Sequence, residues 1–422
     1  MRIIRIYNEN DSHLDQHFLK DEKKIMNKTK KVIILATLIA AGMSANAAPT
    51  NQEIMDMMLE LKNEVKTLKS ENKALKGEVE DVAVATDEAI KAQVKLSGKT
   101  TIGGYGELHY NGLDDQIGNS DKDEIDFHRF VLFFNHEYSD KLRFVSELEL
   151  EHSIAGDGKE GEIELEQAYI EYDYNDSTSI QAGLILIPLG ILNETHEPNT
   201  FYGVERNPVE KNIIPSTWWE GGAKVSHNLS EGLNIQLMAH SGLKATSSFK
   251  PRDGRQKVGK AKQEHMAYTG AIKYTKIPGL TVGAGLNYQT DFANGGGQAA
   301  DAALMTEVHA IYQKDKFTLK ALYAAWDIDG PGADAIGRDK QFGYYVEPSY
   351  QVTETVGVFG RFNKYDNNDG NSTATAIKQT DIGVNWWLDP QVVFKADIQM
   401  QSVGSGISKE MTGLNLGMGY AF

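Results

Sequence analysis

Two periods divide this chain. Between residues 54 and 89 the apolar positions recur by fours and threes: Ile54, Met58, Leu61, Val65, Leu68, Leu75, Val79 and Val82, with Asn72 on the same line and Lys and Glu flanking it. That spacing is a heptad seam and predicts a coiled coil, in which one polar seam residue fixes register at some cost in stability. A lone amphipathic helix would show the same stripe, but the rest of the chain offers no helical surface to pack against. From Ser97 onward the period is two. Leu280, Val282, Ala284, Leu286 and Tyr288 alternate with Thr281, Gly283, Gly285, Asn287 and Gln289. Phe342, Tyr344 and Val346 behave likewise, as do Phe394, Ala396, Ile398 and Met400. The final nine residues, LNLGMGYAF, alternate up to Tyr420 and Phe422. Such segments are strands with one apolar and one polar face.

The connections decide what the strands build. Short turns at 139–140, 175–176, 229–231, 278–279, 315 and 389–390 alternate with long polar stretches. These are 111–122, 155–161, 188–216, 243–262, 291–299, 328–338, 365–375 and 403–409. Tight turns at one end and long loops at the other mark an all-β, antiparallel transmembrane β-barrel, here of about 16 strands. Tyr138, Tyr172, Tyr174, Tyr274, Tyr288, Tyr312, Trp386, Tyr420 and Phe422 fall near strand ends, as interfacial girdles do. A membrane tolerates no open sheet edge, so the last strand is expected to pair with the first, with Tyr420 and Phe422 at the closing rim.

The mean hydropathy of −0.42 looks water-soluble, yet a strand that crosses a membrane needs only every other residue apolar. From Met26, a basic stretch (Lys28, Lys30, Lys31), an apolar run (32–43) and Ala45-Asn46-Ala47 succeed one another, the order of a secretory signal peptide. The expected organisation is therefore an over-long start (1–25), a signal peptide (26–47), a periplasmic stalk (48–96) and an outer-membrane barrel (97–422). Removing residues 1–47, with 8 Lys+Arg and 5 Asp+Glu, takes the formal charge from −16 to −19. An acidic exported chain is not a nucleic-acid binder.

The segment GGYGELHYNG (Gly103 to Gly112) and the long loop LNETHEPNTFYGVERNPVEKNIIPSTWWEGG (Leu192 to Gly222), with the terminal aromatic, resemble the phosphate-selective porin O/P-like outer-membrane family. The likeness covers roughly 97–422. It implies a homotrimer, a third loop folded into the lumen as a constriction, a C-terminal Phe read by the barrel assembly machinery, and phosphate selectivity resting on lumen arginines. Arg129, Arg143 and Arg361 have the parity for that ladder but are scattered along the chain.

The third loop carries Glu194, His196, Glu197, Glu205, Arg206, Glu210 and Lys211, a charged eyelet if it lies in the pore. Acids with lumen parity are Glu107, Glu147, Glu149, Glu171, Asp173, Glu347, Asp381 and Asp397. With loop and wall both net acidic, the reading from charge is passive diffusion of small solutes and ions with weak cation preference; phosphate or anion selectivity is the alternative. His196-Glu197 alone lacks a ligand framework, so no metal or cofactor is expected. The trios Glu147, Glu149, Glu151 and Glu162, Glu164, Glu166 read as a solvated acidic rim, with divalent-cation capture as the alternative. The fourth loop is basic (Lys244, Lys250, Arg252, Arg255, Lys257, Lys260, Lys262) and reads as a mobile loop, an anion attractor or a partner for lipopolysaccharide phosphates. A barrel hydrolase would need a Ser–His pair facing lipid, for which His136 and Ser146 have the parity. An adhesin or a peptidoglycan tether through the stalk is the third class.

Overall fold

The computed structural model describes residues 52, 55–56, 59–60, 62–71, 73 and 99–422. The expected leader, and the seam positions Ile54, Met58, Leu61, Asn72, Leu75, Val79 and Val82, lie outside the described residues. The chain divides into two units, 1–93 and 94–422. In the first, residues 62–71 are helical, and the seam residues Val65 and Leu68 are exposed.

In the second unit the period-two pattern becomes sixteen antiparallel strands closed into a barrel. Its first half is β1 (Thr100–Asp115), β2 (Lys122–Ser139), β3 (Leu142–Glu151), β4 (Ile163–Asn175), β5 (Thr178–Leu186), β6 (Trp219–Ser230), β7 (Leu233–His240) and β8 (Ala267–Tyr274). The second half is β9 (Leu280–Gln289), β10 (Ala303–Lys314), β11 (Phe317–Ile328), β12 (Lys340–Gln351), β13 (Val356–Asp366), β14 (Ile377–Asp389), β15 (Val392–Val403) and β16 (Met411–Ala421). Every neighbour in sequence is a neighbour in the sheet, and β1 pairs with β16. Alternation sorts the side chains as the sequence requires. Val282, Leu286, Tyr288, Phe394, Ile398, Leu414 and Leu416 are exposed on the outside, whereas Asn287, Gln289, Asn385 and Asn415 are buried on the inner face.

Closure runs from Asp115 opposite Met411 to Tyr105 opposite Ala421. One further exchange completes it: Gly104 N–H donates to the Phe422 carbonyl at 3.0 Å, and Phe422 N–H to the Gly104 carbonyl at 2.9 Å. A Cβ on Gly104 would lie 2.2 Å from the Val131 carbonyl oxygen, so that close approach requires glycine. The terminal residue is therefore held in the ladder, with its ring beside Phe130 and Tyr420.

One irregularity matters later. On β3–β4, Glu147 opposes Gln167 but Leu148 opposes Leu165, so Glu166 is an extra residue. Such a bulge breaks the alternation. Glu166 is fully buried while Gln167 next to it donates to Glu147 on the inner face, so two consecutive residues serve one side.

The apolar core lies inside the barrel, against one side. Ile187, Leu189, Val209, Ile213, Ile214 and Trp218 of the third loop pack with Leu243 and Phe249 of the fourth, Phe292 of the fifth, and Met305, Leu322, Trp326 and Tyr345 of the β10–β12 wall. The wall formed by β1–β4 carries charged residues instead.

Candidate functional site

The third loop, residues 187–218, reaches the wall on every side. Glu205 touches His109 and Asn111 on β1, and His196 touches Glu147 and Glu166 on β3 and β4. Trp326 Nε1–H of β11 donates to the Ile213 carbonyl at 2.8 Å, and Asp397 of β15 accepts from Val204 N–H at 2.7 Å. A segment that contacts strands all around a closed barrel crosses its lumen.

The loop is not structureless. Asn207 caps a short helix, α1 (Pro208–Asn212), by accepting from Glu210 N–H at 2.9 Å, and Pro208 suits the first turn because it has no N–H to satisfy. Glu210 then folds back. Its Oε2 accepts from Ile191 and Leu192 N–H at 2.8 and 2.6 Å, and its Oε1 from the Tyr345 hydroxyl at 2.7 Å. This corrects the reading of Glu210 as an eyelet charge: it is fully buried, bonded within the loop and to the wall, and faces no pore.

On the β12–β15 side, Arg361 Nε meets Asp381 at 3.1 Å and its Nη1 meets Glu347 at 3.2 Å, while Nη1 and Nη2 donate to the Tyr202 and Glu205 carbonyls. Lys395 Nζ sits 3.6 Å from the centroid of the Phe201 ring. On the β1–β2 side, Arg129 is gripped by Glu107 at 2.6 Å and Glu149 at 3.2 Å, and His109 lies between Glu107 and Glu205. Arg143 pairs with Glu171 and Asp173 nearer the short turns. Glu194 faces Lys273 at 3.5 Å and Lys224 at 3.9 Å. Glu197 is half-buried, and its carbonyl accepts from the Thr200 hydroxyl. The acids taken from the sequence as a cation-preferring wall are thus largely matched by buried cations.

His196 is buried, with Nδ1 3.2 Å from the Asn193 carbonyl and Nε2 3.4 Å from both Glu147 Oε1 and Glu166 Oε2. It too is turned away from any passage. Burial opposes a charge on the ring, but the two carboxylates outweigh burial and lift its pKa to about 10. The acidic trios therefore do not form a solvated rim, since Glu147, Glu149, Glu164 and Glu166 are all buried.

The fourth loop also folds inward, which corrects its reading as a mobile or lipopolysaccharide-facing loop. Arg252 Nη1 donates to the Ser216 carbonyl and Arg255 Nη1 to the Thr217 carbonyl, each at 2.5 Å, and Lys257 meets Glu162 and Glu164. Between the two loops and the β1–β4 wall lies a cavity of about 330 Å³. Of its cations, Arg129, Lys122 and Lys257 have carboxylate partners. Among the described residues Arg206, Lys211, Arg252 and Arg255 line it with no carboxylate in ion-pair range, against Glu151, which has no ion-pair partner, and Asp126 and Glu205, whose partners are histidines. The sequence signal for the inward fold was slight: the apolar Leu243, Phe249 and Val258 set among the basic residues. His136 bonds the Thr100 hydroxyl and Ser146 the Phe134 carbonyl, so the two do not meet.

The sequence profile of phosphate-selective porin O and P matches residues 101–402, most of the barrel. The chain belongs to that porin family. An uncharacterized protein of Aquifex aeolicus is 30% identical over 341 residues, 70% of this porin and 74% of that protein. The anion-selective porin from Comamonas acidovorans superposes with a TM-score of 0.57 at 14% identity, over 76% of this chain and 99% of that one. The outer-membrane channel DcaP of Acinetobacter baumannii gives 0.54 at 12%, over 76% and 97%. OmpT of Vibrio cholerae in its trimer form gives 0.51 at 11%, over 76% and 99%. At such identities these likenesses show the fold. Family and fold together make this porin a channel of the outer membrane.

Proposed function

We propose that this porin passes small anions, oxyanions such as phosphate among them, through the space between the third loop, the fourth loop and the β1–β4 wall. One observation carries the reading: among the described residues four cations without a carboxylate partner, Arg206, Lys211, Arg252 and Arg255, line one cavity against three acids that no lysine or arginine partners, Asp126, Glu151 and Glu205. Charged groups lining a narrow pore favour ions of the opposite sign. The excess negative charge of the chain argues weakly against this, because charges outside the constriction are screened within about 8 Å at physiological salt. The family description, phosphate-selective, points the same way.

The functional unit in this reading is a trimer, with the N-terminal helix of each copy associating in the periplasm. Exposure of Met55, Leu59, Val65 and Leu68 on that helix supports a partner of like kind. The test of selectivity is the reversal potential of the purified porin in a planar bilayer under a potassium chloride gradient, followed by added phosphate. A chloride-side potential with partial block by phosphate is expected. A potassium-side potential would overturn the proposal.

A further inference from the structure

His196, Glu147 and Glu166 form a site that channel function alone does not explain. Each presents one ligand atom, and the three lie within 4.8 Å of one another at a buried position between the third loop and the β3–β4 wall. Each is also oriented from behind. His196 Nδ1 lies against the Asn193 carbonyl, which fixes Nδ1 as the donor. Glu147 Oε2 accepts from Gln167 at 2.6 Å, while its Oε1, which faces His196, is steered by the Tyr105 hydroxyl at 3.2 Å. Glu166 Oε1 accepts from the Thr217 hydroxyl at 2.7 Å. Beyond their 3.4 Å contacts within the trio, His196 Nε2 and Glu166 Oε2 meet no hydrogen-bonding group among the described residues, although both residues are buried. Outer partners that orient a ligand while leaving its coordinating atom free are characteristic of metal sites.

The spacing is one that a metal ion can bridge. Here Nε2 stands 3.4 Å from Glu147 Oε1 and 3.4 Å from Glu166 Oε2. Ligands about 2.0–2.1 Å from a tetrahedral zinc ion are separated by about 3.3–3.4 Å along the tetrahedron's edges. We infer that His196, Glu147 and Glu166 bind one divalent first-row cation, zinc fitting best, which clips the third loop to the β3–β4 wall. Calcium and magnesium are disfavoured because they take oxygen ligands and more of them. One imidazole and two carboxylates are instead a zinc donor set, with a fourth position for water. Two carboxylates balance the charge of the ion. The nearby Arg129 is already matched by Glu107 and Glu149. The bulge at Glu166 belongs to the device, since only the extra residue lets Glu166 and Gln167 both serve this site.

The site stands apart from solute preference, so it is tested without a bilayer. The full-length porin in detergent, stripped with chelator, is titrated with zinc chloride against a competing fluorescent chelator, with manganese and calcium chloride as further arms. One zinc per chain is expected, bound more tightly than manganese or calcium. Glu166→Gln, which preserves shape, should weaken zinc binding at least 100-fold while the barrel stays folded, and His196→Ala should do the same. X-ray absorption should show one imidazole and oxygen ligands at about 2.0–2.2 Å. Asp126→Asn tests the other histidine-containing group, Asp126, His128 and His152, and should leave zinc affinity unchanged. Three results would overturn the inference: zinc affinity no better than millimolar, affinity unchanged in Glu166→Gln, or loss of binding in Asp126→Asn instead.

Discussion

The Tyr345 hydroxyl of β12 donates to Glu210 of the third loop at 2.7 Å, while the other carboxylate oxygen of Glu210 holds Ile191 and Leu192 N–H from the start of the same loop. A single buried carboxylate therefore joins both arms of the loop to the wall. Its position explains why a segment of some thirty residues keeps one path across a lumen.

Removing that carboxylate should free the loop without opening the barrel. Each donor orphaned by Glu210→Ala costs about 1–3 kcal/mol, whereas the strand ladder is untouched. The expected result is larger, noisier single-channel conductance, with protease cleavage appearing within 187–218 and unchanged strand content by circular dichroism. Tyr345→Phe removes one bond to a charged group, about 1.5–3 kcal/mol, and should be milder. Unchanged conductance in Glu210→Ala would mean that the loop is held elsewhere.

Strands were legible because a lipid-facing wall imposes period two, and Val282, Leu286 and Tyr288 obey it where a soluble loop would not. The alternation of short and long connections carried strand number and closure in the same way. The third loop was legible only as a location. Nothing in the spacing of Glu210 says that its carboxylate turns back to Ile191, because that depends on α1 and on Tyr345, 135 residues away. The inward path of the fourth loop was hidden for a compositional reason: lysine and arginine look alike whether they meet water or, like Arg252 and Arg255, the carbonyls of a neighbouring loop. Acid counts overstate the free negative charge of the lumen because Asp381 and Glu347 are matched by Arg361, a pairing set by register across three strands.

Closure at the terminal residue gives a prediction about assembly. Phe422→Ser keeps the backbone exchange with Gly104 but removes the ring that lies beside Phe130 and Tyr420. Less folded, heat-modifiable barrel is expected in the outer membrane, with the residual folded fraction conducting normally. Wild-type amounts would show that the aromatic end is dispensable.

The N-terminal helix should hold copies of the chain together. Asp placed at Leu61 and Leu68 puts charge into the heptad seam, where an unpaired buried charge is strongly destabilising, by about 3–5 kcal/mol. The double variant should give oligomers that dissociate at a lower temperature in detergent, while each barrel remains folded. Oligomers of unchanged heat stability would exclude a coiled coil.

Selectivity should follow the cations of the cavity rather than the charge of the whole chain. Lys211 suits the test because it lines the cavity yet is exposed, so reversing it leaves the packing of the third loop alone. In water a unit charge about 4 Å from a permeant ion is worth about 1 kcal/mol, so Lys211→Glu changes that ion's energy by up to about 2 kcal/mol. At about 1.4 kcal/mol per tenfold, that is at most roughly a thirtyfold fall in anion permeability, read as a reversal potential moving toward the potassium side. Added salt should shrink the difference between variant and wild type, because screening shortens its reach. Asp157→Lys supplies the control: Asp157 is exposed on the second long connection and makes no contribution to the cavity lining. If the control moves the potential as far as Lys211→Glu does, the diffuse charge of the outer surface sets selectivity and the four cavity cations do not.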